Sequence, residues 1–317
     1  MGTRILILGA GQLGSRYLQG LAMYGTPLEI YVSDISQDML SRALSRWNEV
    51  TPQGSSHTVH MMLGLQGIPS QMDLAIIATT AENRAQLVNA LARQIEVSYW
   101  VLEKVLTQRE DDISVIASAV RCSKGAWVNT PMHEWSLYKA LRKVSKDESP
   151  IHARYKDVRG LASNAIHYVD LVARWSNAVP ISIDTSKLDK SWYPAERVGF
   201  FDVFGHLMVS FSDGATLEVT SKPHDRRYRA ELTTTEEHWE IFEREGFARA
   251  DDGRIVRGKC EFQSELTSQL VEKILTIGAC DLPSLGQSAI QHHAYIHGLL
   301  EHWNQTMHQN VRCIPIT

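Results

Sequence analysis

A chain of 317 residues is long for one hydrophobic core and comfortable for two domains. With 44% apolar and 21% charged residues and a net charge of −4, it reads as an ordinary globular protein, and neither nucleic acid nor a membrane surface is expected as a partner. Cys122, Cys260, Cys280 and Cys313 lack C-x-x-C spacing, which points to reduced thiols rather than a disulfide framework or a zinc site.

Arg4 to Leu8 is a short continuous apolar run, the pattern of a strand buried on both faces of a parallel sheet. It enters Gly9-Ala10-Gly11-Gln12-Leu13-Gly14, a G-x-G-x-x-G, and Ser15 to Tyr24 follows with helical spacing. In a dinucleotide-binding turn Gly9 makes the tight bend, Gly11 admits a pyrophosphate and Gly14 lets helix and strand pack closely. Free N–H groups from Gly11, Gln12, Leu13 and Gly14, at the positive end of the helix, would hold the phosphates. A second strand, Leu28 to Val32, ends at Asp34, twenty positions after Gly14. A carboxylate there accepts hydrogen bonds from an adenosine ribose and repels a 2′-phosphate, so NAD is expected, with NADP less favoured. The competing reading is a glycine turn in some other α/β protein, with Asp34 capping the next helix.

Gln37 to Val50 reads as a helix, Thr58 to Met62 as a short strand and Asp73 to Thr80 as a buried strand ending in small polar residues. Glu82 to Ile95 is helical, Tyr99 to Leu102 is a strand running into Glu103-Lys104, Asp111 to Arg121 is a helix and Ala126 to Asn129 a strand. This alternation predicts a doubly wound parallel sheet of the Rossmann type. Ligands of such sheets gather at the carboxyl ends of the strands, which places Gly11, Asp34, Thr79, Thr80 and Lys104 along one edge.

The pattern then changes. Helices are expected at 134–144 and 163–175, followed by strands at 181–185, 200–204, 207–211, 216–220 and 228–233. Asp213-Gly214 and Asp252-Gly253 are turn signals, and helices at 265–275 and 286–304 close the chain. The expected architecture is a Rossmann domain over residues 1–125 and an α+β domain with an antiparallel or mixed sheet over 126–317.

Lys104 is the first chemical candidate. An ammonium at the end of a buried strand beside a cofactor crevice is costly unless paired or used. It could polarise a substrate hydroxyl or carbonyl, or simply snorkel to the surface at the strand end, while Glu103 could be its partner or point the other way along the strand. The second candidate is Asn164, His167 and Asp170, spaced by three on one helix, with Asp170 orienting the imidazole or simply pairing with it. His292, His293, His297 and His302 crowd the last helix. Only the spacing of His293 and His297 suits a metal, and a half-exposed histidine-rich helix is the preferred reading. Arg226, Arg227 and Arg229 form a basic cluster read as an exposed strand edge.

Strand-GAGQLG-helix, then VLEKV, then NAIHYVDLVARW, in this order, resembles the glucose–fructose oxidoreductase/inositol dehydrogenase (Gfo/Idh/MocA) family over essentially the whole chain. The resemblance implies a C-terminal α+β domain whose open, largely antiparallel sheet mediates oligomerisation, and a Glu-Lys-Pro motif with a catalytic lysine, matched by Glu103 and Lys104 with Val105 in place of proline. It also implies a G-x-H-x-x-D stretch, matched by His167 and Asp170 with Ala165 in place of glycine. Two departures stand out: Ser163 occupies a position where many members carry aspartate, and Arg84 one where histidine is frequent. Val128-Asn129-Thr130-Pro131, the Asn164-to-His167 variant and Leu282-Pro283-Ser284-Leu285 before a long helix resemble a branch associated with surface-polysaccharide sugars of the capsule or nonulosonic type.

The function so implied is a cytoplasmic NAD-dependent oxidoreductase acting on a hydroxyl or carbonyl of a sugar or sugar derivative. Gly9, Gly11, Gln12, Leu13, Gly14, Asp34, Thr79, Thr80, Glu103 and Lys104 would meet the cofactor. Lys104, His167 and Asp170 would be catalytic, with Asn164 joining Lys104 and His167 on the substrate. No metal is expected, and the second sheet implies a homodimer or homotetramer. The alternatives are a cofactor-binding regulator of the same fold and an enzyme that recycles tightly held NAD.

Overall fold

The run Ile5–Leu8 is almost wholly buried, as a strand covered on both faces must be, and the first half of the chain is built around it. The computed structural model describes residues 2–145, 150–223 and 228–317. The first half contains β1 (Thr3–Leu8), α1 (Gln12–Leu21), β2 (Leu28–Asp34), α2 (Gln37–Val50), β3 (Thr58–Leu63) and β4 (Gln71–Ile77). It continues with α3 (Arg84–Gln94), β5 (Glu96–Glu103), α4 (Glu110–Ala119) and β6 (Gly125–Asn129). After a 3-10 turn at Pro131–Glu134 come α5 (Ser136–Val144), β7 (His152–Lys156), α6 (Leu161–Trp175), β8 (Pro180–Pro194) and β9 (Phe201–Phe211). The chain ends with β10 (Thr216–Ser221), β11 (Arg229–Thr233), β12 (His238–Phe242), β13 (Phe247–Ala250), β14 (Ile255–Arg257), α7 (Gln263–Ile277) and α8 (Leu285–Thr306).

Two compact units result. The first takes Met1–Leu106, Ser114–Asn129 and Glu261–Leu285. Its six-stranded sheet, in the order β3-β2-β1-β4-β5-β6, is parallel throughout, the order of a doubly wound dinucleotide-binding fold. Ile5, Ile7, Ile30, Val32, Leu74, Ile76 and Val101 share one core cluster with Leu18 and Leu21 of α1.

The unit boundary differs from a cut at residue 125. Gly125–Asn129 pairs with β5 as the sheet's edge strand. Leu270, Val271 and Ile274 of α7 join the same core as α1. Gly20 permits that return, because a Cβ there would lie 2.5 Å from the Cβ of Thr267.

The second unit takes Thr107–Ile113, Thr130–Cys260 and Gly286–Thr317. Its eight-stranded sheet runs β14-β13-β12-β11-β7-β10-β9-β8 and is antiparallel except where β7 meets β10. Strands β7, β12, β13 and β14 lie outside the segments expected from sequence. The two strands expected at 200–204 and 207–211 are one, β9, carried through Gly205 at φ +116°. A Cβ on Gly205 would meet Leu188 Cα at 2.6 Å, so the bulged strand β8 can lie close against it.

Alternation gives this sheet two unlike faces. Ala153, Tyr155, Leu207, Val209, Leu217, Val219 and Leu232 are buried, and α6 packs on β9 and β10. The opposite face carries cross-strand ion pairs, Arg154 to Glu218 at 3.0 Å and Lys156 to Glu231 at 3.1 Å. Arg229 opens β11 with its side chain exposed, while Arg226 and Arg227 lie outside the described residues. Among the described residues no helix is long and apolar enough to cross a membrane.

Candidate functional site

β1 delivers the chain to Gly9, whose φ of +99° belongs to the left-handed region that favours glycine. A Cβ on Gly14 would sit 1.7 Å from the Gly9 carbonyl oxygen, so only glycine lets α1 start this close to the strand. Gly11 is different: nothing lies within 4 Å of the place its Cβ would take. Gly11 is also the N-cap of α1, with no side chain capping the first turn and no acidic residue in that turn. Gln12 is exposed and Leu13 half-buried at the start of the helix. An uncapped helix start beneath an open glycine is a place where an anion can approach backbone N–H groups. These residues fit a dinucleotide.

Asp34, at the end of β2, is bound to that loop. Its Oδ2 accepts from the Ala10 N–H at 2.7 Å and its Oδ1 from the Ser36 N–H at 2.8 Å. The cap of α2 is Ser36, whose hydroxyl accepts from the Met39 N–H at 3.4 Å. Asp34 therefore braces the glycine turn, and each carboxylate oxygen retains a lone pair for a further donor such as a ribose hydroxyl.

Thr79 and Thr80 follow β4, and Lys104 follows β5, its neighbour in the sheet. All three side chains are half-buried. The connection between these strand ends is a residue that sequence reading noted only as a departure. Arg84, 1% exposed, donates through Nη1 to the carbonyls of Glu103 and Val105 and, at 3.1 Å, of Leu106. Its Nη2 donates to the carbonyl of Thr79. One guanidinium thus fastens the loops after β4 and β5, with Lys104 between two of its acceptors. The Lys104–Val105 peptide bond is cis. A signal was present: Arg84, Val88 and Leu91 fall on one helical stripe, and a cation on an apolar stripe must find buried partners.

Glu103 turns into the interior. Its Oε1 accepts from Tyr17 Oη at 2.6 Å and from Asn129 Nδ2 at 2.7 Å. Asn129 Nδ2 also donates to Gln263 Oε1 at 2.8 Å, extending the network to α7. Burial pushes the Glu103 carboxyl above its ordinary value, opposed by the hydrogen bonds from Tyr17 and Asn129 and by the charges of Lys104 and Arg84.

In the second unit, α6 carries Asn164, His167 and Asp170. Three-residue steps drift by about 60° each on a helix of 3.6 residues per turn, so the three do not share one environment. Asn164 and His167 are half-buried, and Asn164 Nδ2 donates to the Arg159 carbonyl at 2.8 Å. Asp170 is 0% exposed. Its Oδ1 accepts from Gln291 Nε2 at 3.0 Å and its Oδ2 from Thr130 Oγ1 at 2.8 Å. The imidazole of His133 approaches this carboxylate at 3.8 Å. Burial pushes Asp170 up to about 6, against the hydrogen bond of Thr130, the charge of Arg174 and the hydrogen bond of Gln291.

Ser163 has a carboxylate beside it, supplied by β9. Asp202 Oδ1 accepts from the Ala162 N–H at 2.7 Å, and Ser163 Oγ donates to its Oδ2 at 3.2 Å. Asp202 is 39 residues from Ser163, and no local spacing signals the pairing. On α8, His293 and His297 both meet the carboxylate of Glu110, at 3.2 and 3.0 Å, while His292 is buried with its ring against Ser288.

No protein-family profile and no curated protein matches the chain. Solved structures match it over nearly its whole length. A UDP-N-acetylglucosamine 3-dehydrogenase from Acidithiobacillus ferrooxidans has a TM-score of 0.68 at 11% identity, covering 95% of this chain and 96% of that one. An oxidoreductase from Agrobacterium radiobacter, in complex with NAD+, L-tartaric acid and magnesium, has a TM-score of 0.71 at 12% identity, covering 96% and 97%. Biliverdin reductase from Synechocystis sp. PCC 6803, in complex with biliverdin and NADP+, has a TM-score of 0.72 at 13% identity, covering 94% and 98%. At these identities the likeness is one of fold: a Rossmann-type parallel sheet followed by a second, mostly antiparallel one.

Proposed function

We propose that the protein is an NAD-dependent oxidoreductase acting on a hydroxyl or carbonyl group of a sugar or sugar derivative. The observation that carries this reading is the open Gly11 at an uncapped helix start, with Asp34 fastened to Ala10 beside it. Gly9, Gly11, Gln12, Leu13 and Gly14 would hold the pyrophosphate, and Asp34 the adenosine ribose. The negative charge of Asp34 favours NAD over NADP. Thr79 and Thr80 border the cofactor at the end of β4, and Glu103 supports it from within through Tyr17 and Asn129.

A bound nicotinamide supplies or accepts the hydride. Lys104 hydrogen-bonds the reacting oxygen and takes or gives its proton, His167 is the second proton carrier, and Asn164 binds substrate. Asp170 enters this reading as a brace of α6. The sugar class is supported by the sequence resemblance and by the A. ferrooxidans fold neighbour, whose name specifies a nucleotide sugar. The segments Val128–Pro131 and Leu282–Leu285 support the narrower reading, a step in surface-polysaccharide biosynthesis. A homodimer or homotetramer completes the proposal, to be read from the solution mass.

The test is an NADH titration followed by energy transfer from tryptophan, run beside NADPH on wild type, Asp34→Ala and Asp34→Asn. Tight NADH binding, with a preference over NADPH that collapses in the variants, supports the cofactor half. Sugars and nucleotide sugars are then screened for turnover, with Lys104→Ala expected to lose at least a hundredfold in kcat while still binding NADH. Folded, cofactor-free protein that binds neither nucleotide would overturn the reading.

A further inference from the structure

Tyr17 lies in the second turn of α1, wholly buried among the apolar side chains that fasten this helix to the parallel sheet. Its hydroxyl ends on Glu103, a buried carboxyl that precedes Lys104 in the chain. The Tyr17 Oη to Glu103 Oε1 separation is 2.6 Å. A hydroxyl donating to an ionised oxygen sits at roughly this distance, about 2.5–2.7 Å. Asn129 Nδ2, at the end of β6, donates to the same oxygen at 2.7 Å. Both partners are donors, which suits a carboxylate and not a carboxylic acid with a proton of its own to place.

Burial works against the charge on Glu103. The hydrogen bond from Tyr17 heads the influences that favour it, ahead of the hydrogen bond from Asn129 and the charges of Lys104 and Arg84. Tyr17 itself stays a phenol, because burial, then the charge of Glu103 and the hydrogen bond to it, push its hydroxyl well above the ordinary range.

The plainest role for this contact is to weld α1 to β5. A weld needs no charge, since the amide oxygen of a glutamine would accept the same two hydrogen bonds. A buried acid costs desolvation that a glutamine avoids, so the charge calls for a partner that uses it. Two cations act on it. Arg84, on α3, is engaged with the backbone carbonyls of Thr79, Glu103, Val105 and Leu106. Lys104, half-buried at the end of the same strand, is the cation whose proton the carboxylate can govern.

We propose that Tyr17 is a positioning residue that acts on Lys104 through Glu103: its hydroxyl keeps the carboxyl ionised, and that charge holds the proton on Lys104. Gly11 caps the same helix, so the element that would meet the cofactor also sets the charge state beside the acid–base group. The consequence for turnover rests on the function proposed above, whereas the charge coupling does not.

The test is trace labelling of the full chain with acetic anhydride between pH 6.5 and 9.5. The rate at Lys104 is read by mass spectrometry against the exposed Lys190. Only the neutral amine reacts. At pH 7, Tyr17→Phe should label Lys104 about threefold faster than wild type and Glu103→Gln about tenfold faster. In the Glu103→Gln background, Tyr17→Phe should add nothing. The effect of Tyr17→Phe should fade towards pH 9.5, where the carboxyl ionises without its donor, while that of Glu103→Gln persists at every pH below the lysine's own titration. Infrared difference spectra against Glu103→Gln should show a protonated-carboxyl band in Tyr17→Phe at pH 7 that wild type lacks. 3-Fluorotyrosine at position 17 keeps the shape and strengthens the donor, and should move the appearance of that band to lower pH, a readout that survives if Tyr17→Phe does not fold.

In turnover, the pH below which sugar oxidation falls should move down in Tyr17→Phe, because Lys104 gives up its proton more readily. Folded protein that binds no nucleotide would refute the dehydrogenase reading and leave the labelling result standing. An unchanged Lys104 rate, the same acceleration in both backgrounds or at every pH, or a carboxyl band indifferent to position 17 would give Tyr17 a purely structural role and overturn the proposal.

Discussion

The guanidinium of Arg84 is hydrogen-bonded to the backbone carbonyl of Glu103 in the interior of the first unit, nineteen residues away. Because the same group also holds Thr79, Val105 and Leu106, the loops after β4 and β5 share one anchor. Replacing it by an apolar side chain would strand several carbonyls that water cannot reach. Arg84→Met is expected to cost on the order of 3–5 kcal/mol in urea unfolding. Arg84→Lys should recover less than half of that, since one ammonium cannot reach both loops. In turnover it should lower kcat far more than it raises KM, because Lys104 lies in the anchored loop. A loss below about 1 kcal/mol for Arg84→Met would mean the contacts have little energetic consequence.

The glycine loop makes a paired prediction. Gly14→Ala places a methyl group 1.7 Å from the Gly9 carbonyl oxygen, so α1 must shift off the strand. Loss of several kcal/mol is expected, with reduced yield of folded protein. Gly11→Ala meets nothing within 4 Å and should change stability by less than about 1 kcal/mol. Its effect should fall on NADH affinity, by tenfold or more. If Gly11→Ala binds NADH like the wild type, the open space over Gly11 is not where the pyrophosphate lies.

Ser163 and Asp202 give a third. Their side chains are 3.2 Å apart, and Asp202 also accepts from the Ala162 N–H at the start of α6. Ser163→Asp, which introduces the acid that the resembled family often carries here, would set two carboxylates against each other. The single substitution should destabilise by about 2 kcal/mol, or raise the pKa of one acid instead. Combining it with Asp202→Asn should restore most of the loss, a favourable coupling that a double-mutant cycle reads directly. Additive losses would show that the two positions do not interact.

What could be read in advance follows from how local the information is. β1, the glycine turn and Asp34 span little more than thirty residues, and periodicity, turn chemistry and charge all agree there. β7, β12, β13 and β14 are three to five residues long and alternate charged with small or apolar side chains, so they resemble exposed loops until their neighbours are known. The return of α7 to the first unit is visible only in retrospect, through the space Gly20 leaves for Thr267. Lys104 and Glu103 were recognisable as a pair, but not that Glu103 faces Tyr17 and Asn129. Arg84 and Asp202 act on residues 19 and 39 to 40 positions away, and nothing in spacing alone joins such partners.

Asp170 makes the pH dependence testable. Burial lifts its carboxyl from 3.8 to about 6, so between these values the folded protein holds a proton that the unfolded chain has released. Stability from this group therefore falls as pH rises through that window, and the penalty is complete above about pH 6. A shift of this size corresponds to an order of 3 kcal/mol. His133, 3.8 Å away, and Arg174, whose charge opposes the shift, are unchanged in the variant that isolates the effect. In Asp170→Asn the amide can still accept from Thr130. Its new N–H group can meet Gln291 once that side chain flips, because Gln291 Oε1 has no hydrogen-bond partner among the described residues. The stability of Asp170→Asn minus that of wild type should thus be lowest near pH 4 and rise by 2–3 kcal/mol towards pH 7, as read from urea midpoints at constant m. Parallel curves across the range would show that Asp170 ionises in the folded protein as readily as in the unfolded chain.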